Sequence, residues 1–142
     1  MCVSLPLQFH HIGIACFNIE ETAAFYKERG YFLTQAVYDP IQNVHIAFLN
    51  SENPVFPCLE LISPHDDTSP VCKNLQKNGV SPYHICYETE DLEDAVAELK
   101  KQKFIAVSKP SPAVAFGGRR VCFLFSKSVG LIELVESGAG EK

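Results

Sequence analysis

HIGIACFNIEETAAFY, residues 11–26, is answered by HICYETEDLEDAVAEL, residues 84–99, at an offset of 73 positions. Both stretches open on His-Ile, run on as a short strand, turn at Asn18 or Asp91, and pass into helical periodicity. The same offset carries Glu60 of CLELIS, residues 58–63, onto Glu133 of GLIELVE, residues 130–136. Two His-to-Glu intervals of 49 residues therefore recur, His11 to Glu60 and His84 to Glu133. A repeat of this kind bounds the fold before any propensity does.

Each half reads alike. In the first, a strand over about 9–15 leads to a helix with Asn18 at its N-cap, Glu21 three residues on and Gly30 as its stop. Strands follow at about 31–38, 43–49 and 57–62. In the second, a strand over 83–88 precedes a helix capped by Asp91, with late lysines that suit the negative end of the helix dipole. Its strands fall at about 104–108, 119–125 and 130–136. TSPVCKNLQKNG between the halves predicts a linking helix over about 69–78, with Ser69 at the N-cap, Pro70 at the first helical position and Gly79 past the end. The expected class is α+β: two βαβββ modules in one domain spanning 9–136, repeat one over about 9–63 and repeat two over about 82–136. The tail SGAGEK reads as a frayed end.

The bulk numbers narrow the partners. The 142-residue chain carries a net charge of −5 and no basic run, which argues against nucleic acid and anionic membranes. No apolar stretch approaches the ~20 residues needed to span a bilayer, and the N-terminus lacks the pattern of a secretory signal. Cysteines at 2, 16, 58, 72, 86 and 122 form no CxxC, and read as reduced thiols of a cytoplasmic protein.

Strand alternation then sorts the charged residues by face. His11 shares a face with Gly13 and Ala15, His84 with Cys86 and Glu88, Glu60 with Cys58 and Ile62, and Glu133 with Leu131 and Val135. A carboxylate among Leu131, Ile132, Leu134 and Val135 is costly without a partner. If the halves converge, two imidazoles and two carboxylates meet, and a divalent cation pairs both charges while accepting both histidine nitrogens. Such a donor set suits Zn, Co, Ni or Mn and discriminates poorly among them. His10 faces the other way from His11 and reads as structural; His65 reads as solvated, Glu88 as a surface residue, and His45 as a candidate for lining a substrate cavity. In AFGGRRV, residues 115–121, Arg119 and Arg120 after two glycines are candidates for holding a phosphate or carboxylate, and at most one of them points to the site face; a solvated hairpin is the competing reading. Phe116, Phe123 and Phe125 read as core.

HHIGIACFNIEETAAFY, LELISP, SPYHICYETEDLEDAVAELK and FLFSKSVGLIELVE together resemble the vicinal oxygen chelate (glyoxalase/bleomycin resistance/dioxygenase) superfamily, from about Phe9 to Glu136, and most closely its methylmalonyl-CoA epimerase branch. The resemblance implies a cup-shaped mixed sheet, one divalent metal held by His11, Glu60, His84 and Glu133, and a homodimer. It implies an isomerase or lyase that works through an enolate on a small-molecule substrate, such as a CoA or carrier-protein thioester, with Glu133 as general base. The epimerase pattern includes a second glutamate before the third strand; VYDPIQNVHI has Ile41, Gln42 and Asn43 there, so Gln42 and Asn43 enter as substrate-binding candidates and ordinary epimerisation is put in doubt. Glyoxalase (lactoylglutathione lyase) activity and non-catalytic binding of a small molecule are the alternatives. An extradiol dioxygenase fits less well, because a fourth protein ligand closes a position that oxygen chemistry needs.

Overall fold

The computed structural model describes residues 6–138. These fall into two compact units: residues 11–83, and residues 84 onward together with the segment up to residue 10. Cys2 and the last four residues of the expected frayed tail lie outside the described residues.

The first unit follows the predicted order. β1 (Gln8–Ala15) leads to α1 (Ile19–Lys27), whose N-cap Asn18 accepts the Glu21 N–H at 2.8 Å. Glu20 and Glu21 occupy the first turn and Lys27 the last, in accord with the helix dipole. Gly30 ends the helix at φ +95°, a left-handed conformation that costs glycine nothing. β2 (Phe32–Leu33) and β3 (Val37–Asp39) both pair antiparallel with β4 (Val44–Asn50). β4 pairs antiparallel with β5 (Leu59–Pro64), and β5 pairs parallel with β1. One face of this mixed sheet buries Ile14, Ala47, Leu49, Leu59 and Leu61 against Ile19 and Ala23 of α1.

The strand expected over 31–38 is broken in two. Thr34, Gln35 and Ala36 stand opposite only Ala47 and Phe48, so one extra residue forms a bulge between β2 and β3. The Thr34 hydroxyl takes over a ladder bond there, accepting the Phe48 N–H at 2.8 Å. The linking helix is α2 (Val71–Asn78), and Ser69 is not its side-chain cap. The Ser69 hydroxyl instead accepts the His65 N–H at 2.9 Å and donates to the Asn43 carbonyl, closing the loop before the helix.

The second unit repeats the plan. β6 (Ser81–Thr89) begins in the last residues of the first unit and is followed by α3 (Leu92–Lys101), whose N-cap Asp91 accepts the Asp94 N–H at 3.0 Å. β7 (Ile105–Ala106) and β8 (Ser111–Pro112) pair antiparallel with β9 (Arg120–Ser126), and β9 pairs antiparallel with β10 (Gly130–Glu136). β10 is parallel to β6. Leu92, Ala95 and Leu99 of α3 cover Cys122, Leu124, Ile132 and Leu134. Residues 107–110 bulge between β7 and β8, and the Ser108 hydroxyl accepts the Phe123 N–H at 3.1 Å, as Thr34 does for Phe48. The architecture is α+β, with mixed sheets and three helices among the described residues. No described helix is long and apolar enough to cross a membrane.

Candidate functional site

Register decides which side chains share a face. In the first unit Gly13 of β1 stands beside Glu60 of β5, so Glu60 projects to the face of His11, away from α1. His11 is fully buried and its Nε2 lies 3.2 Å from Glu60 Oε1. In the second unit Cys86 of β6 stands beside Glu133 of β10, which places Glu133 on the face of His84. His84 Nε2 lies 3.0 Å from Glu133 Oε1, and both residues are buried. Each unit therefore presents one imidazole nitrogen beside one carboxylate oxygen in a place with little water. A buried carboxylate is tolerated when positive charge accompanies it, whether from a protonated imidazole or from a cation with the imidazole neutral.

A third residue completes each pair, and sequence reasoning missed its role. Phe48 of β4 lies opposite Glu60, and Phe123 of β9 lies opposite Glu133. Phe48 meets His11 edge-on at 5.6 Å between ring centres, and Phe123 meets His84 edge-on at 5.4 Å. The T-shaped contact sets the tilt of each imidazole. Thr34 and Ser108 bond the backbone of these two phenylalanines, so both bulges serve the same position.

Cys58 belongs to the environment of the first pair. Burial, with the charge of Glu60 adding to it, pushes its thiol up to about 11. Burial also raises Cys16 and Cys122. These thiols stay protonated and are poor nucleophiles.

The remaining predicted residues separate cleanly. His45 does not share the face of Glu60: it pairs with Ser63 and alternates with Ala47 and Leu49, which puts it on the α1 side of the sheet. There its Nε2 lies 3.0 Å from His65 Nδ1, and Tyr38 packs against both rings. The cavity-lining reading of His45 fails for that reason, and His65 has a ring partner besides water. Gln42 and Asn43 are bound into a turn. Asp39, fully buried, accepts the N–H groups of Ile41 and Gln42 at 2.9 and 3.0 Å through Oδ1, and the Gln42 side-chain amide at 3.2 Å through Oδ2. Asn43 adopts φ +59° and donates to Asp66 and Thr68 at 2.9 Å each. Glu88 is half-buried and faces Arg119 at 3.3 Å, which corrects its reading as a plain surface residue. His10 packs edge-on against Phe116 at 5.3 Å, a structural contact.

Comparison with known proteins places this arrangement. The model of the glyoxalase/bleomycin resistance protein/dioxygenase superfamily matches residues 10–123. Human mitochondrial methylmalonyl-CoA epimerase is 34% identical over 134 residues, covering 92% of this chain and 74% of the human protein. The crystal structure of methylmalonyl-CoA epimerase from Mycobacterium tuberculosis superposes with a TM-score of 0.83 at 25% identity, covering 97% of this chain and 93% of that one. A variant of the Streptomyces coelicolor methylmalonyl-CoA epimerase, solved in complex with 2-nitronate-propionyl-CoA, superposes with a TM-score of 0.79 at 30% identity, covering 94% and 97%.

Proposed function

The chain is an enzyme of the glyoxalase/bleomycin resistance protein/dioxygenase superfamily with methylmalonyl-CoA epimerases as homologues, and from that premise we propose that it removes the proton next to the carbonyl of a small acyl-CoA thioester, at a site where His11, Glu60, His84 and Glu133 together hold one divalent cation. The observation that carries this reading is the duplicated buried pair: an imidazole and a carboxylate at 3.2 Å in one unit and at 3.0 Å in the other. Two nitrogen and two oxygen donors fit Zn, Co, Ni or Mn. Such a cation supplies Lewis-acid stabilisation of negative charge on a carbonyl oxygen. His11 and His84 offer Nε2 to it, and the edge contacts with Phe48 and Phe123 hold both rings in place. Glu133 takes the substrate proton as general base. The choice of a CoA thioester is supported by the relatives, one of which was solved in complex with 2-nitronate-propionyl-CoA.

A second base on the turn over 39–43 is not supported. We read Ile41, Gln42 and Asn43 as replacing the further glutamate of the epimerase pattern, and none of these side chains ionises. Asp39, the only carboxylate of that turn, is spent on three hydrogen bonds within it. Proton removal and return by Glu133 on one face therefore exchanges the α-proton with solvent without inverting that carbon, and a net isomerisation by this one base requires the proton to be returned to a different atom. The same one-base chemistry is what keeps glyoxalase action on the glutathione adduct of methylglyoxal as the second reading. Homodimer formation and a cytoplasmic location belong to the same proposal. A monomeric mass by light scattering overturns the first, and recovery in a membrane or organelle fraction overturns the second.

The test is exchange of solvent deuterium into a panel of acyl-CoA thioesters, alongside elemental analysis of protein purified without added metal. About one equivalent of divalent metal is expected. Glu133→Gln should lower exchange by roughly 100-fold or more. Undiminished exchange in that variant, or turnover of the methylglyoxal adduct with no thioester exchange, removes the leading reading.

A further inference from the structure

We propose, resting on the CoA-thioester reading above, that Arg119 anchors the phosphate-bearing arm of the substrate and that Glu88 occupies Arg119 until that anion displaces it. Neighbouring arginines in a strand point to opposite faces. Arg120 shares parity with Cys122 and Leu124, which lie under α3. Its guanidinium accordingly pairs with Glu93 of α3 at 2.6 and 3.0 Å and with Glu136 at 3.0 to 3.2 Å. Two carboxylates saturate this cation, and Arg120 is a structural clamp. Arg119 immediately precedes β9, and its ion partner Glu88 shares parity on β6 with Cys86, which stands beside Glu133. That pairing puts the Arg119 guanidinium on the side of the sheet that carries His84 and Glu133.

Its ion pair with Glu88 is longer than the two that Arg120 makes. One carboxylate oxygen of Glu88 sits 3.3 Å from Nη1, the Glu136 and Phe116 carbonyls accept at 3.3 Å each, and the guanidinium lies 5.6 Å from the centre of the Phe116 ring. An arginine and a carboxylate or phosphate that pair well do so through two bonds of about 2.7–2.9 Å. The diphosphate at the end of the pantetheine arm, two adjacent monoanionic groups with four non-bridging oxygens, can therefore outcompete the single oxygen that Glu88 offers. The ion pair is also partly desolvated, with side-chain exposures of 22% for Arg119 and 27% for Glu88, so exchanging one anion for another strips little additional water. The backbone delivers Arg119 through Gly117 and Gly118, both left-handed at φ +65° and +91°.

Spacing identifies which end of the substrate it meets. Glu88 lies four residues beyond His84, and Arg119 four residues before Phe123, so their backbone positions stand about 13 Å along the strands from those of His84 and Phe123. A carboxylate on the reacting carbon sits beside the thioester carbonyl and is too close to the pair to reach that far. The phosphates of CoA, carried on the extended pantetheine arm, are the anions at suitable range.

The experiment compares two non-hydrolysable probes by calorimetry: a propionyl-CoA thioether and the matching pantetheine thioether, which lacks phosphates. Arg119→Ala should weaken the CoA probe about 10-fold or more and leave the pantetheine probe within about twofold. Glu88→Gln should tighten the CoA probe and leave the pantetheine probe unchanged. Arg120→Ala should lower thermal stability without altering the ratio of the two affinities. Each ratio is measured within one variant, and Glu88→Gln tests the proposal independently if Arg119→Ala does not fold. Equal changes for both probes, or none for either, overturn the anchor while wild-type thioester exchange stands. Failure of the wild type to bind or exchange any thioester overturns the anchor and the proposed function together.

Discussion

The two halves share their strands and differ in their hairpins. Both place histidine on the first strand, glutamate on the last, phenylalanine edge-on to the histidine, and a bulge hydroxyl on the phenylalanine backbone. The connection from β3 to β4 is a tight turn centred on buried Asp39, whose bonds are satisfied within it. The connection from β8 to β9 is a 3-10 turn followed by two left-handed glycines and Arg119. What both halves retain is the buried imidazole–carboxylate pair and its phenylalanine, on which the proposed cation site rests. What they do not share sits where a substrate must be told apart from other molecules.

That comparison can be broken at its strongest point first. Phe48→Ala and Phe123→Ala should each destabilise the protein by roughly 2–3 kcal/mol, just under the cost at a fully buried phenylalanine. Denaturant unfolding curves would show it, and a large effect at one position with none at the other would end the claim of equivalence. The caps give a smaller matched pair: Asn18→Ala and Asp91→Ala should each cost about 1 kcal/mol, read as lowered melting temperatures. Smallest is an effect confined to the second half. Arg120 holds the carboxyls of Glu136 and Glu93 below the ordinary value of 4.5. Because the folded values are depressed, the stability they contribute is present above about pH 4.5 and is lost as pH falls through those lower values. Arg120→Ala should flatten the acid limb of stability against pH, and an unchanged limb would assign acid sensitivity elsewhere.

Much of this was legible because the repeat is written at constant spacing where it matters. His11 and Glu60 map onto His84 and Glu133 at 73 residues, and alternation put each on its face correctly. Between those landmarks the spacing drifts, to 74 from Thr34 to Ser108 because the second bulge is one residue longer, and to 75 from Phe48 to Phe123 because the hairpin that follows is also one residue longer. It returns to 73 at the glutamates because the loop into the last strand is shorter in the second half. A fixed-offset comparison therefore passes over the very residues that orient the histidines, and Phe123 read as core. Ser69 shows a different limit: its position before Pro70 favours a cap, but the long-range bond to Asn43 outweighs that local preference. His45 was misread because its strand had no register until its neighbour's was known.

The parallel pairing of the first and last strands within each half has a kinetic consequence. Histidine and glutamate of one pair are separated by 49 residues of chain, and closing a loop of that length costs about 3 kcal/mol before any contact repays it. Neither pair can exist until the hairpins between have collapsed and the final strand has docked, so these contacts are among the latest and most non-local to form. Uptake of a cation by this chain would accordingly mark the end of folding and leave half-made molecules unmetallated.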